Sequence, residues 1–312
     1  MASILRSIRC ILPVLIMLYV SGHAVASDSK ALRAQTLVIG KVSDSPRKHY
    51  IRLKPMVDYV GKKMRDLGIT HSRVLMARNN AQMIRYLREG KVDWVTETVF
   101  SSLTFRDQAG AEIILRKWKK GVPGYHTVFF TRTESDIHTL KDLRGRRLAL
   151  EDPGSTTAYF VPMTILFREG LQPEKLKTIR STPSPDKVGY GFAGGEINIA
   201  TWVYKGLADA GAYNDLDWNT PDHTPPSFKK DLRIFYQTEN IPRGFELVRP
   251  GMDPEIKARL KKILLEADSD PDAGDVLFSY QRTARFEEID DETNAVLEVV
   301  REQMDRLAGK LH

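Results

Sequence analysis

Cysteine is almost missing from this chain: 312 residues contain one, Cys10. With a single thiol no disulfide framework forms within the chain, so stability must come from an ordinary hydrophobic core. Internal repeats, low-complexity segments and blocks of like charge are also missing. The formal net charge of +7 is spread along the chain among interleaved acids. The tightest basic groups, Arg144/Arg146/Arg147 and Lys117/Lys119/Lys120, read as solvated faces, and no nucleic-acid motif accompanies them. His49 and His126 lack metal-ligand spacing with any other histidine or acid, so no metal site or cofactor is expected. No Gly-x-Ser-x-Gly turn surrounds any serine, which argues against a nucleophilic enzyme and leaves no catalytic residue to name.

What is present begins at the amino terminus. Arg6 and Arg9 precede an apolar run from Cys10 to Val20, interrupted by Pro13, and Ala24-Val25-Ala26 forms a small-x-small site. These are the three parts of a secretory signal peptide, and the run is short for a membrane span. Residues 1–26 are therefore expected to be removed after Ala26, giving an exported protein that starts at Ser27 and lacks cysteine.

Beyond that leader, strands and helices alternate. Apolar strands are expected at Thr36–Val42, Arg73–Ala77 and Val92–Thr96, with helices at His49–Leu67 and Asn80–Arg88 between them. The first of these helices places Leu53, Met56, Val57, Val60, Met64 and Leu67 on one face. This βαβαβ pattern calls for a parallel sheet covered by helices, whose ligands bind beyond the carboxyl ends of the strands. A second unit starts at the strand Thr127–Arg132. It continues through the helix Ile197–Lys205, a strand around Asp209–Ala212 and an irregular connection Asn219–Lys229. Strands Arg233–Gln237 and Gly244–Val248 and helices near Pro254–Ala267 and Asp290–Lys310 complete the chain. Trp202, on an apolar helix face, reads as core.

The most informative stretch is Leu148-Ala-Leu-Glu-Asp-Pro-Gly-Ser155-Thr156-Thr157-Ala-Tyr159-Phe-Val-Pro162. A short buried strand is broken by Asp152-Pro153-Gly154, and Ser155 stands where a helix N-cap belongs. The first amides of a helix lack intrahelical partners and carry the positive end of its dipole. Three hydroxyl residues there suit an oxyanion held without a metal. The alternative is that Ser155 only caps the helix.

The run from Leu140 to Pro162 resembles the signature of the phosphate/phosphite/phosphonate substrate-binding proteins of ABC importers. So do Gly90-Lys-Val-Asp-Trp-Val, Tyr125 entering a crossing strand, Gly206-Leu-Ala-Asp209-Ala-Gly-Ala, and Ile241-Pro242 on the return. The resemblance implies a two-lobed type II periplasmic binding-protein fold, an α/β architecture with a mostly parallel sheet in each lobe, a hinge and a central cleft. Residues 27–126 and 238–312 would form lobe one and 127–237 lobe two. It also implies that Ser155, Thr156 and Thr157 hold an anion with Tyr159 just beyond, and that Asp209 faces an amino group on the ligand; that Asp209 only stabilises a turn or a neighbouring backbone amide is the plainer alternative. Tyr125 and the loop from Ser43 to Tyr50 would supply further contacts.

Two positions depart from the family pattern. Gly195-Glu196 stands where phosphonate binders commonly carry His-Glu, and Thr96-Glu97-Thr98 replaces a neutral turn. An acid in the cleft repels a bare phosphonate dianion unless the ligand carries a cation. Glu97 and Asp209 facing each other would then favour a zwitterion such as an aminophosphonate. Glu97 capping the next helix is the plainer alternative. The expected activity is capture of a small anionic or zwitterionic ligand by a monomer that delivers it to a membrane permease. A sensor subunit feeding a membrane signalling protein is the alternative, and a secreted hydrolase a more distant one.

Overall fold

The computed structural model describes residues 32–43, 45–307 and 309. The leader reading over residues 1–26 lies outside the described residues.

Fourteen strands are found among the described residues: β1 (Thr36–Val42), β2 (His71–Ala77), β3 (Trp94–Glu97), β4 (Glu112–Lys117), β5 (Gly124–Tyr125), β6 (Thr127–Arg132) and β7 (Arg147–Leu150), then β8 (Gln172–Lys175), β9 (Lys187–Phe192), β10 (Ala210–Asn214), β11 (Leu232–Gln237), β12 (Ile241–Pro242), β13 (Phe245–Val248) and β14 (Phe286–Glu287). They form two six-stranded sheets, in the orders β14-β4-β13-β3-β1-β2 and β11-β6-β10-β7-β9-β8. Each sheet is parallel along one side, through β2-β1-β3 and through β10-β7-β9-β8. The remaining strands pair antiparallel.

Between the sheets, β5 and β12 pair antiparallel, Tyr125 opposite Ile241 and Gly124 opposite Pro242. The chain leaves the first sheet through β5 and returns through β12, so two extended segments side by side connect the lobes. Such a ribbon is the natural place for a hinge.

Both faces of each sheet are covered. In β1, Leu37 and Ile39 join a cluster with Leu53, Met56 and Trp94, while Val38 joins the cluster of Met83, Val95 and Leu103. In β7, Leu148 and Leu150 pack on one side and Ala149 on the other. That follows from the two-residue period of a strand, and burial on both faces is why these strands read as continuous apolar runs.

Most of the expected elements appear, with shifted ends. The first long helix spans Pro46–Lys62, because Pro46 fits its first turn and starts it before His49. Residues Arg65–Leu67 form a separate 3₁₀ turn that closes at Gly68, with φ +81°. The segment expected to be irregular holds the one-turn helix Pro226–Lys229, just after another at Asp215–Trp218. The helix that Glu97 was placed to precede spans Val99–Ala109; it is buried on most sides and has no clean apolar stripe to mark its extent in the sequence. The helix Glu196–Tyr204 lies close against β10, where a Cβ on Gly211 would come within 2.6 Å of Ile199 Cγ2 and 2.7 Å of the Phe130 ring. Glycine there lets the helix seat, and its first residue reaches the cleft.

Candidate functional site

The carboxyl ends of β1 and β3 in lobe one face the carboxyl end of β7 in lobe two. Ser155 does cap its helix, accepting the Ala158 N–H at 3.2 Å through Oγ. The first turn, Thr156–Phe160, is π-wide, with the Phe160 N–H reaching the Ser155 carbonyl at 3.0 Å. Such widened turns recur at functional sites because they redirect side chains and free backbone groups.

Thr156 ties the lobes together. Its hydroxyl donates to Thr98 Oγ1 at 2.9 Å and accepts the Phe100 N–H at 3.0 Å. Phe100 stacks on Phe160 at 4.7 Å between centroids, and Ser101 Oγ approaches the Gly154 carbonyl at 3.4 Å. Thr157 lies beside the Tyr125 hydroxyl, and its carbonyl accepts from Thr127 Oγ1 at 3.0 Å. The structure therefore draws the hydroxyl triplet together with Tyr125 and the Glu97 turn.

Lobe one brings four cations to this junction, and none was singled out from sequence as a ligand contact. A cavity of about 10 Å³, space for one water-sized group, is lined by Lys41, Glu97, Thr98, Lys117, Lys119 and Arg243 among others. Lys41 pairs with Glu97 at 3.3 Å and Lys117 with Glu246 at 3.1 Å. The Lys119 ammonium has no ion pair or hydrogen bond among the described residues. Desolvation, then the nearby charges of Arg243, Lys41, Lys117 and Lys120, drive its pKa well below that of an ordinary amine. Arg243 is 3% exposed and lies 4.2 Å above the Tyr125 ring, and its buried Nε has no hydrogen-bond partner among the described residues. His49, bonded through Nδ1 to Ser43 Oγ at 2.6 Å, is pushed down to about 3 by desolvation and then by Lys41 and Lys119, so it stays neutral. The solvated-face reading of Lys117, Lys119 and Lys120 is thus corrected: Lys117 is 1% exposed, and Lys120 reaches across to Asp217 in lobe two at 2.8 Å.

Lobe two answers with acids. Glu196, Asp217 and His223 converge, with one ligand atom from each within 4.8 Å of the others. Desolvation opposes ionisation of Asp217, but hydrogen bonds from His223 and Lys120 hold its pKa below the usual range. The Glu196 carboxyl is pushed up by desolvation and by Asp217, and Glu151 by desolvation and then Glu196. His223 rises through its hydrogen bond to Asp217.

Three expected contacts lie elsewhere. Asp209 precedes β10 at the amino ends of β7 and β10, away from the cleft. Its carboxylate accepts the Arg147 N–H at 2.8 Å and two guanidinium N–H groups at 3.0 Å each. Asp209 and Glu97 therefore do not face each other. Tyr159 is 4% exposed and packs on Tyr190 and Phe192 in the core of lobe two, because its position on the wide turn points back to the sheet. Tyr50 stands 45% exposed on the helix Pro46–Lys62 and does not line the cavity. Asp209→Asn is expected to leave ligand affinity within about twofold while lowering stability by about 1–2 kcal/mol, read by calorimetry and urea unfolding. A large affinity loss would return Asp209 to the site.

The profile of a family described as "ABC transporter, phosphonate, periplasmic substrate-binding protein" matches residues 39–293. The chain belongs to this family. The phosphonate substrate-binding proteins are receptors and not enzymes, are periplasmic, and partner a membrane permease. No described helix of this member is long and apolar enough to cross a membrane. The chain is 27% identical over 149 residues to the phosphate-import protein PhnD of Mycolicibacterium smegmatis, an alignment spanning 47% of this chain and 45% of that relative. It is similar to XAC2383 from Xanthomonas citri in its chloride-bound structure, at 39% identity and TM-score 0.86, covering 88% of this chain and 99% of that one. The ATP-bound structure of XAC2383 gives 38% identity and TM-score 0.85, covering 89% and 100%. PhnD1 from Prochlorococcus marinus with methylphosphonate shares the fold at 18% identity and TM-score 0.68, covering 88% and 99%.

Proposed function

We propose that this protein is the receptor of an ABC importer and captures a small phosphonate-like oxyanion between its lobes. The observation that carries the reading is the pair of basic groups without an acidic partner among the described residues, Lys119 and Arg243, lining a cavity with Thr98, which Thr156 of the Ser155 turn contacts. Two cations desolvated and held close without a counter-charge are costly, which is why the Lys119 pKa is lowered, and an anion arriving between them favours the charged form of both. The hydroxyls of Ser155 and Thr157 and the first amides of their helix are the contacts proposed from lobe two. Tyr125 orients Arg243 from the hinge. That XAC2383 has been seen with chloride and with ATP, both anions, fits the same reading.

The ligand proposed is amino-bearing. Glu151, Glu196 and Asp217 form the acidic side of the cleft, replacing the pole first expected from Glu97 and Asp209. An ammonium placed there would make charge-assisted hydrogen bonds as the lobes close. Lobe one comprises 27–126 and 238–312 and lobe two 127–237 in this reading. The mature monomer starts at Ser27. A sensor subunit would use the same cleft, and only its membrane partner would differ.

A thermal-shift screen tests the ligand class, because a ligand stabilises the state it binds. Aminoalkylphosphonates are expected to give the largest shifts, with methylphosphonate and phosphate smaller. At about a hundredfold excess over Kd the stabilisation is about 2.7 kcal/mol. Shifts with phosphate or ATP and none with amino-bearing phosphonates would remove the amino group from the proposal; shifts only with amino acids would remove the oxyanion.

A further inference from the structure

Glu97 sits in surroundings that neither an ammonium contact nor a helix cap accounts for. It ends β3, is 8% exposed, and accepts the Val42 N–H at 2.9 Å and the Lys41 ammonium at 3.3 Å. A carboxylate has about four lone-pair sites, so bonds to two donors leave acceptor capacity on the cavity side. That cavity of about 10 Å³ has room for a single oxygen-sized group. The charged groups around it are Lys41 on β1, Lys117 and Lys119 on and after β4, and Arg243 after β12. Glu246 lies behind Lys117, and neutral His49 borders Lys41 and Lys119. Gly244 lines the wall next to Glu97, and an added Cβ there would touch it, lying 3.4 Å from the Glu97 carbonyl oxygen and 3.6 Å from Lys117 Cε.

An ammonium in this cavity would face four basic side chains against one lining carboxylate, which Lys41 already occupies, and is disfavoured by repulsion. A bare anionic oxygen is welcome to the cations but meets the carboxylate lone pairs. A neutral P–OH satisfies both sides: its proton goes to Glu97 and its oxygen lone pairs face the lysines and Arg243. We propose that Glu97 is a specificity-determining residue that reads ligand protonation, admitting phosphorus oxyanions that carry a P–OH group and rejecting sulfonates and fully ionised phosphonates. This rests on the oxyanion reading above and narrows its substrate class. Sites built to hydrogen-bond a ligand O–H discriminate strongly against analogues without it, because a buried acceptor is then left facing another acceptor.

Calorimetry with methylphosphonate, phosphate and methanesulfonate tests the proposal. The wild-type protein is expected to bind methanesulfonate at least about a hundredfold more weakly than methylphosphonate near neutral pH. Above the second ionisation of methylphosphonate its affinity should fall about tenfold per pH unit relative to phosphate, which keeps one P–OH through that range. Phosphate also controls for titration of Lys119 and its neighbours. In Glu97→Gln the amide donates as well as accepts, so the sulfonate penalty should shrink to within about tenfold. Equal wild-type binding of sulfonate, a constant methylphosphonate-to-phosphate ratio with pH, or an unchanged preference in folded Glu97→Gln would each overturn the proposal. The pH series needs only the wild-type protein, so it decides even where the variant does not fold. Binding of none of the three, and of no aminoalkylphosphonate, would instead overturn the oxyanion reading itself.

Discussion

Lys119→Met combined with Arg243→Gln is expected to weaken oxyanion binding by at least about a hundredfold. Each cation is placed to make a charge-assisted hydrogen bond worth about 1.5–3 kcal/mol, or roughly ten- to a hundredfold in affinity. Both would act on one ligand, so the losses are not expected to add fully. The unliganded protein should respond in the opposite direction. Lys119 is surrounded by Arg243, Lys41, Lys117 and Lys120, so removing its charge relieves repulsion and should hold or raise stability in urea. Calorimetry reads the first effect and unfolding curves the second. Retained affinity with intact stability would show that the anion binds elsewhere.

Lys117→Met is expected to destabilise the fold by about 3–5 kcal/mol, the cost of stranding a buried charge. Its partner Glu246 is 0% exposed and lies 3.1 Å from the ammonium. The Lys117 ammonium also donates to Gln281 Oε1 at 3.1 Å and to Thr96 Oγ1, and lies 4.5 Å over the Tyr280 ring. Trp94 and Tyr280 donate to the same Glu246 carboxylate, so the network ties β3, β4 and β13 to the segment after residue 274. Lys117→Met with Glu246→Leu removes both charges and should recover part of the loss, although the Trp94 and Tyr280 donors stay unpaired. A urea midpoint unmoved by the single change would mean that the pair is solvated after all.

These two effects arise from residues that sequence reading takes for a solvated face, Lys117 and Lys119, or passes over, Arg243. Lys41 interrupts an otherwise apolar strand, and that interruption is a signal that a buried or cleft-facing charge follows. Lys117 and Lys119 sit in a run whose composition is that of a surface. Only the pairing of β4 with β13 and β14 carries that run under cover and beside Arg243, more than a hundred residues later in the chain.

Local chemistry was sufficient where partners are near in sequence. The β1 strand, the helix Asn80–Arg88, the cap at Ser155 and the β6 strand depend on period, propensity and the hydrogen bonds of adjacent residues, all of which the sequence carries. The family signature lies in the same category, since Asp152-Pro153-Gly154 and the hydroxyls after it act within one turn. The direction each site side chain takes is different in kind. Asp209 looks like a ligand contact until Arg147, 62 residues away, takes its carboxylate with three hydrogen bonds. Thr156 looks like an anion donor until lobe closure brings Thr98 and Phe100 to it. Sequence by itself determined the two-lobed α/β fold, its family and the turn at Ser155, whereas the tertiary structure alone decided which charges meet in the cleft. The physical reason is that the strength of a charge interaction depends on separation and on burial, so it is set by residues that only folding makes neighbours.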